Sequence, residues 1–89
     1  MIEKTVQIIN KTGLHARPAS RFVQEASHYT SEITVSKDGR TVNAKSMISV
    51  LSLGANCGAA ILIRASGIDE VPAIDGLVAL LENMSREEH

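Results

Sequence analysis

The chain has 89 residues, nine basic and ten acidic, for a formal net charge of −1. Hydrophobic residues make up 44% and charged ones 21%, as in soluble globular proteins, and the length allows one domain hiding roughly 60–65% of its unfolded surface. The near-neutral balance excludes a whole-molecule field aimed at nucleic acid or anionic lipid, and with only Phe22 and Tyr29 as aromatics the composition argues against base stacking on exposed rings.

Ile2, Val6 and Ile8 alternate with Glu3, Thr5 and Gln7, which predicts a strand over Ile2 to Ile9 with one buried face. Asn10-Lys11-Thr12-Gly13 is a loop. From Ala16 to His28, Ala19, Phe22, Val23 and Ala26 recur at helical spacing, and Pro18 sits in the first turn, where a missing N–H costs nothing. Glu32 to Ser36 alternates again, with Ile33 and Val35 inward. Asp38-Gly39 is a two-residue hairpin turn, and Arg40 to Ala44 is the return strand with Val42 and Ala44 inward.

Ser46 predicts the N-cap of a short helix running to about Leu53 and ended by Gly54. Ala59 to Ser66, with Ile61, Leu62 and Ile63, is the most apolar strand and belongs at the centre of a sheet. Asp69 caps a last helix that has Pro72 in its first turn and Val71, Ile74, Leu77, Val78, Leu81 and Met84 as its apolar stripe. Gly76 costs that helix ~1 kcal/mol against alanine, with no reason visible in the sequence. The order β-α-β-β-α-β-α, with short links and one mainly apolar face per strand, predicts a two-layer α+β sandwich: one domain over residues 1–89, its helices covering one side of a four-stranded sheet.

Gly13-Leu14-His15-Ala16-Arg17-Pro18-Ala19-Ser20 spans the point where the strand pattern gives way to the helical one. A lone histidine ordinarily decorates a loop, and most arginines are solvated. Together, just ahead of a helix, they form a place suited to a phosphate: the backbone N–H groups of Ala16 and Arg17 are donors without helical partners, the dipole favours negative charge, and the guanidinium adds a forked cation. A neutral His15 ring would offer a lone pair for attack on phosphorus. Pro18 ends the donor row and stiffens the turn. Neither a Walker sequence nor a two-glycine phosphate loop is present, so the chain can hold a phosphoryl group but shows no machinery for making one.

Lys45-Ser46-Met47-Ile48-Ser49-Val50-Leu51-Ser52-Leu53-Gly54 is the second informative stretch. Ser46 serves as an N-cap, and a phosphate on it would suit the dipole while setting about two negative charges beside the helix. Val50 and Leu53 can face the core. That leaves Met47, Ile48 and Leu51 as an exposed apolar patch, a docking surface that charge could switch off.

Other singular residues read plainly. Cys57, alone in the chain, excludes an intramolecular disulfide and a zinc cluster; in Asn56-Cys57-Gly58 it is a small turn residue. His28 falls at the C-terminal end of the first helix and reads as a capping residue. His89 reads as a disordered chain end, and Arg86-Glu87-Glu88 as a solvated tail. No cofactor or metal site is expected. No signal peptide opens the chain and no apolar run approaches the roughly 20 residues of a membrane span, so membrane insertion is not expected and the cytoplasm is.

The two motifs, Gly13 to Ser20 and Lys45-Ser46-Met47-Ile48 with Leu51-Ser52-Leu53-Gly54, resemble HPr, the histidine-containing phosphocarrier family of the bacterial phosphoenolpyruvate-dependent phosphotransferase system. The resemblance runs over essentially the whole chain. It implies an open-faced β-sandwich, with an antiparallel four-stranded sheet and three helices on one side. It also implies that enzyme I, charged by phosphoenolpyruvate, phosphorylates the δ nitrogen of His15, and that the group passes to a sugar-specific enzyme IIA domain with Arg17 assisting. The chain would then be a carrier acting between phosphotransferases, not an enzyme itself, and a monomer. Ser46 matches the position phosphorylated by HPr kinase/phosphorylase in Gram-positive and some other bacteria. In that branch the serine-phosphorylated form reduces sugar uptake and partners a catabolite control regulator.

The implied docking face comprises Arg17, Ser20, Arg21, Gln24, Lys45, Met47, Ile48 and Leu51. Ser49 stands where many Gram-positive members have glycine and enteric ones lysine, and Gln24 and Ser27 stand where enteric members carry lysines. The face is therefore less basic and leans on Arg17, Arg21 and Lys45. It fits the sugar system or the parallel nitrogen-related system, whose carrier has the same fold. His15 separates the chain from the family's purely regulatory relatives, which lack the histidine. A regulatory interaction module working through Ser46 is a second reading, compatible with the first. An RNA-binding domain of similar element order is a third, opposed by the missing strand aromatics and the near-neutral charge.

Overall fold

Alternating apolar and polar residues lay four segments side by side in one sheet. The computed structural model, which describes residues 1–87, places β1 at Ile2–Gln7, β2 at Glu32–Lys37, β3 at Arg40–Asn43 and β4 at Ala60–Ser66. All pairings are antiparallel and the spatial order is β1-β4-β2-β3. The apolar run of β4 is central, as expected, opposing β1 through Val6↔Ile61 and β2 through Val35↔Ile63. Asp38 and Gly39 both take positive φ, 51° and 81°, the backbone a tight hairpin between β2 and β3 requires.

Three helices, α1 (Ala16–Ser27), α2 (Met47–Ser52) and α3 (Glu70–Arg86), pack on one face. Phe22, Ala19 and Ala26 of α1, Val50 of α2, and Ile74, Leu77 and Leu81 of α3 close over Ile33, Val35, Ile61 and Ile63. Full burial of a side chain such as Phe22 or Ile63 contributes about 1.5–3 kcal/mol. The opposite face, carrying Glu3, Thr5, Gln7 and Arg64, stays uncovered, with Glu3 and Arg64 paired across it at 2.8 Å. This is the open-faced α+β sandwich expected from the order of elements.

Some expectations shift. Val71 is 54% exposed while Ala73 is buried. At about 100° per residue, Val71 points some 110° away from the centre of the buried stripe, and its place is taken by the smaller side chain. β1 ends at Gln7, and Ile8 leaves the ladder to bond with the chain entering β4. Glu88 and His89 lie outside the described residues. Glu87, read from sequence as part of a solvated tail, instead forms an ion pair with Arg21.

Gly76 has a tertiary explanation. A β-carbon there would collide with the Tyr29 hydroxyl and lie 2.7 Å from Glu25 Oε2, so the glycine lets α3 approach α1 across the Tyr29–Glu25 pair. The Tyr29 hydroxyl donates to Glu25 Oε2 at 2.7 Å, and that bond to a carboxylate pushes its pKa up to about 12.

Asp69 occupies the N-cap position of α3 but makes no side-chain cap bond. Its carboxylate reaches back to the loop between α1 and β2, accepting from the Ser31 hydroxyl, from the Thr30 amide at 2.8 Å and from the Ser31 amide at 2.9 Å. Those donors, the Ser31 hydroxyl first, hold the acid down to about 2 from 3.8. A folded value below the unfolded one gives stability that is fully present above about pH 4 and is lost as pH falls toward about 2. Asp69→Asn should therefore melt at a lower temperature than wild type at neutral pH, with the two curves converging in acid. Thermal melts over a pH series check this, and a constant gap at every pH would refute it.

Candidate functional site

The site begins with a turn that only glycine can make. Gly13 has φ 67°, its amide donates to the Asn10 carbonyl at 3.1 Å, and the buried Asn10 side chain returns a bond to the Gly13 carbonyl at 2.8 Å. A β-carbon on Gly13 would strike the Ala55 carbonyl and come within 2.8 Å of Asn56 Cα. With hydrogen there instead, two loops distant in sequence lie against each other. The Leu14 amide donates to the Ala55 carbonyl at 2.8 Å, and the Gly58 amide to the Ile8 carbonyl at 2.7 Å. Leu14 itself is fully buried, which anchors the turn to the core.

His15 follows in extended backbone as the N-cap of α1, its side chain making no cap bond. The ring is half-buried, and its Nε2 lies 2.7 Å from Asn56 Oδ1. Ala16 then takes φ 49°, a left-handed conformation that costs a residue with a β-carbon about 1–3 kcal/mol. The N–H groups of Ala16 and Arg17 stand in the first turn, where the helix supplies no acceptor, and Pro18 brings none. Histidine, first-turn donors and arginine thus meet at one helix end, the juxtaposition expected of a phosphate site.

The two arginines differ. Among the described residues no carboxylate pairs with Arg17, which is exposed and lines a recess of about 230 Å³ with Asn10, Thr12, Pro18, Met84 and the Arg21–Glu87 pair. Arg21 is held in a fork by Glu87, Nη1 to Oε1 at 2.6 Å and Nη2 to Oε2 at 3.3 Å. That fork holds the Glu87 carboxyl below its usual value and raises the guanidinium. Arg17 is the guanidinium at hand for a new anion.

Ser46 is the N-cap of α2, its hydroxyl accepting from the Ser49 amide at 3.4 Å. Val50 and Leu53 turn inward as expected, and Ile48 and Leu51 outward at 81% and 37% exposure. Met47, expected with the exposed pair, is half-buried and packs on the core. On α1, Ser20 is half-buried and Gln24 exposed. Lys45 lies apart from this end: its ammonium donates to the Tyr29 carbonyl at 2.6 Å, where the C-terminal carbonyls of α1 attract a cation about 20 Å along the helix from His15.

His28 is the C-cap residue of α1, and Cys57 is an exposed thiol. Among the described residues no group of three His, Cys, Asp or Glu could hold a metal ion, and no helix is long and apolar enough to cross a membrane. Asn56 and Glu87 escaped sequence reasoning because each reaches its partner, 41 and 66 residues away, only in the folded chain. Gly13→Ala sets a left-handed alanine against backbone, and should cost roughly 2–4 kcal/mol and pull His15 away from Asn56. Denaturant unfolding and the His15 ring resonances would report both effects; wild-type stability would overturn the steric account.

Comparison with known proteins identifies the family of the chain. Residues 2–83 match the family model described as the PTS HPr component phosphorylation site. The chain is 49% identical over 82 residues to an HPr-like protein Crh of Halalkalibacterium halodurans, covering 92% of this chain and 98% of that one. It is 41% identical over 88 residues to the phosphocarrier protein HPr of Treponema pallidum, covering 99% and 100%. The solved structure of HPr-C-His from Thermoanaerobacter tengcongensis superposes with a TM-score of 0.96 at 50% identity over the full length of both chains. An HPr dimer from the same organism gives 0.76 at 52% identity, covering 93% and 95%. On its sequence, its sheet order and its histidine-led helix, this chain belongs to the HPr family of phosphotransferase-system phosphocarriers.

Proposed function

We propose that the chain carries a phosphoryl group on His15, taking it from phospho-enzyme I and giving it to an enzyme IIA domain for coupled sugar uptake. The observation that supports this most directly is a half-buried imidazole at the head of α1, beside two first-turn amides and an arginine that no described carboxylate occupies. A lone pair of the ring attacks phosphorus as the donor's bond to phosphorus breaks, and the donor leaves with that electron pair. The amides of Ala16 and Arg17 and the Arg17 guanidinium meet the charge spread over the phosphoryl oxygens. Transfer onward is the same displacement with His15 as the leaving group.

On this reading the chain is a single carrier domain passed between enzymes, working in the cytoplasm as a monomer. The dimer reported for a relative makes its oligomeric state a separate question from its chemistry. Its docking face is built from Arg17, Ser20 and Gln24 on α1 and from Ile48 and Leu51 on α2, with Arg21 and Met47 in support. Lys45, whose ammonium bonds the Tyr29 carbonyl, adds a positive charge at the α2 side of that face, two residues from Met47. The nitrogen-related phosphotransferase system is the alternative setting for the same transfer. Incubation with phosphoenolpyruvate and enzyme I should place an acid-labile, alkali-stable phosphate on His15, and His15→Ala should abolish it. Equal labelling of wild type and variant would end the assignment.

A second reading adds regulation at Ser46, supported by its place at the head of α2 one residue from Met47 and two from the exposed Ile48. Phosphate there, added by an HPr kinase/phosphorylase, would set negative charge against the patch that meets enzyme I, and could instead recruit a catabolite control regulator. Ser46→Asp should slow transfer from enzyme I about tenfold or more, with the fold intact. An unchanged transfer rate would refute electrostatic blocking.

A further inference from the structure

We propose that Asn56 is a positioning residue for His15: its side-chain oxygen holds the neutral imidazole with its proton on Nε2, which presents the Nδ1 lone pair as the nucleophile. The inference rests on His15 being the phosphoryl acceptor, and adds how this chain's own residues select one of the two ring nitrogens. Asn56 Oδ1 lies 2.7 Å from His15 Nε2. An amide oxygen only accepts, so Nε2 must donate; a neutral imidazole has one N–H, so its lone pair stands on Nδ1.

The pairing is not a chance encounter of two surface side chains. Asn56 directly follows Ala55, whose carbonyl receives the Leu14 amide at 2.8 Å, and His15 directly follows Leu14. Gly13 presses against the Asn56 backbone at a distance no β-carbon allows. Ala55 and Leu14 are both fully buried. Each partner is therefore one residue from a core anchor, and the two anchors are bonded to each other. A histidine on a mobile loop would present both tautomers; here the backbone holds an acceptor against one nitrogen.

The arrangement also suits the transfer itself. As the Nδ1–P bond forms and the donor's bond to phosphorus breaks, the ring gains positive charge while Nε2 keeps its proton. No proton needs to leave. The Nε2–H bond to Asn56 then becomes charge-assisted and strengthens, so Asn56 favours the phosphorylated ring over the free one.

The test uses the full-length ¹⁵N-labelled protein in alkaline solution, where the ring is neutral, with His15→Ala to assign its signals. Long-range ¹⁵N–¹H correlations should show the wild-type ring as a single form protonated on Nε2. Asn56→Ala should relax to a mixture of both tautomers, and Asn56→Asp, which keeps an acceptor in place, should restore the single form. Asn56→Ala should also be phosphorylated by phospho-enzyme I about fivefold more slowly, the effect of one lost hydrogen bond. Asn56 is exposed, so its alanine variant should melt with wild type. A wild-type ring protonated on Nδ1, equal tautomer populations in wild type and Asn56→Ala, or an unchanged rate would each overturn the inference. Failure of wild-type His15 to label would end the carrier reading and leave the tautomer measurement standing, so the two failures are distinct.

Discussion

The hydrogen bond from the Leu14 amide to the Ala55 carbonyl, 2.8 Å long, joins the loop that precedes α1 to the loop that precedes β4. Because Leu14 and Ala55 are both fully buried, that bond works in a low-dielectric setting and is backed by packing on either side. It exists because Gly13 has no side chain to hold the loops apart. From it follow the extended backbone at His15, the left-handed turn at Ala16 and the direction in which α1 sets out across the sheet. Strain at Ala16 is tolerated because the residues before it are pinned and the helix after it is packed through Ala19 and Phe22.

Charge in this molecule is arranged locally. With a net charge of −1 there is no global field to steer a charged partner, so recognition falls to individual groups. The structure sorts its cations by what already holds them. Arg21 is forked to Glu87, Arg64 meets one carboxylate oxygen of Glu3, and Lys45 bonds a helix-end carbonyl, whereas Arg17 has no carboxylate among the described residues. With Arg21, Arg40, Arg64 and Arg86 each already bonded, Arg17 is the uncommitted guanidinium among the described residues, two positions from the histidine.

α2 shows the same economy in apolar surface. Six residues suffice because Val50 and the following Leu53 seat it on the core while Arg40 bonds the Ser52 carbonyl at its end, at 2.7 Å. Ile48 and Leu51 are then left outward on a rigid platform. An exposed apolar pair is costly to keep in water without a partner, and a helix this short would not hold it in place unaided.

Much of this was legible from residues alone. The period of β1 and β2, the apolar run of β4, the Asp38-Gly39 hairpin, the Ser46 cap and the apolar spacing of α1 are local signals, and the order they impose admits few folds. His15, Arg17 and the first-turn amides are neighbours in the chain, so their meeting was set once the helix start was placed. Only the tertiary structure decided the rest. It gave Gly76 its reason in the side chain of Tyr29, turned Asp69 from a cap into a tether for Ser31, drew Glu87 onto Arg21 and set Asn56 beside the His15 ring. Each joins residues tens of positions apart, and patterning says which face a residue shows but not which distant residue will be waiting there.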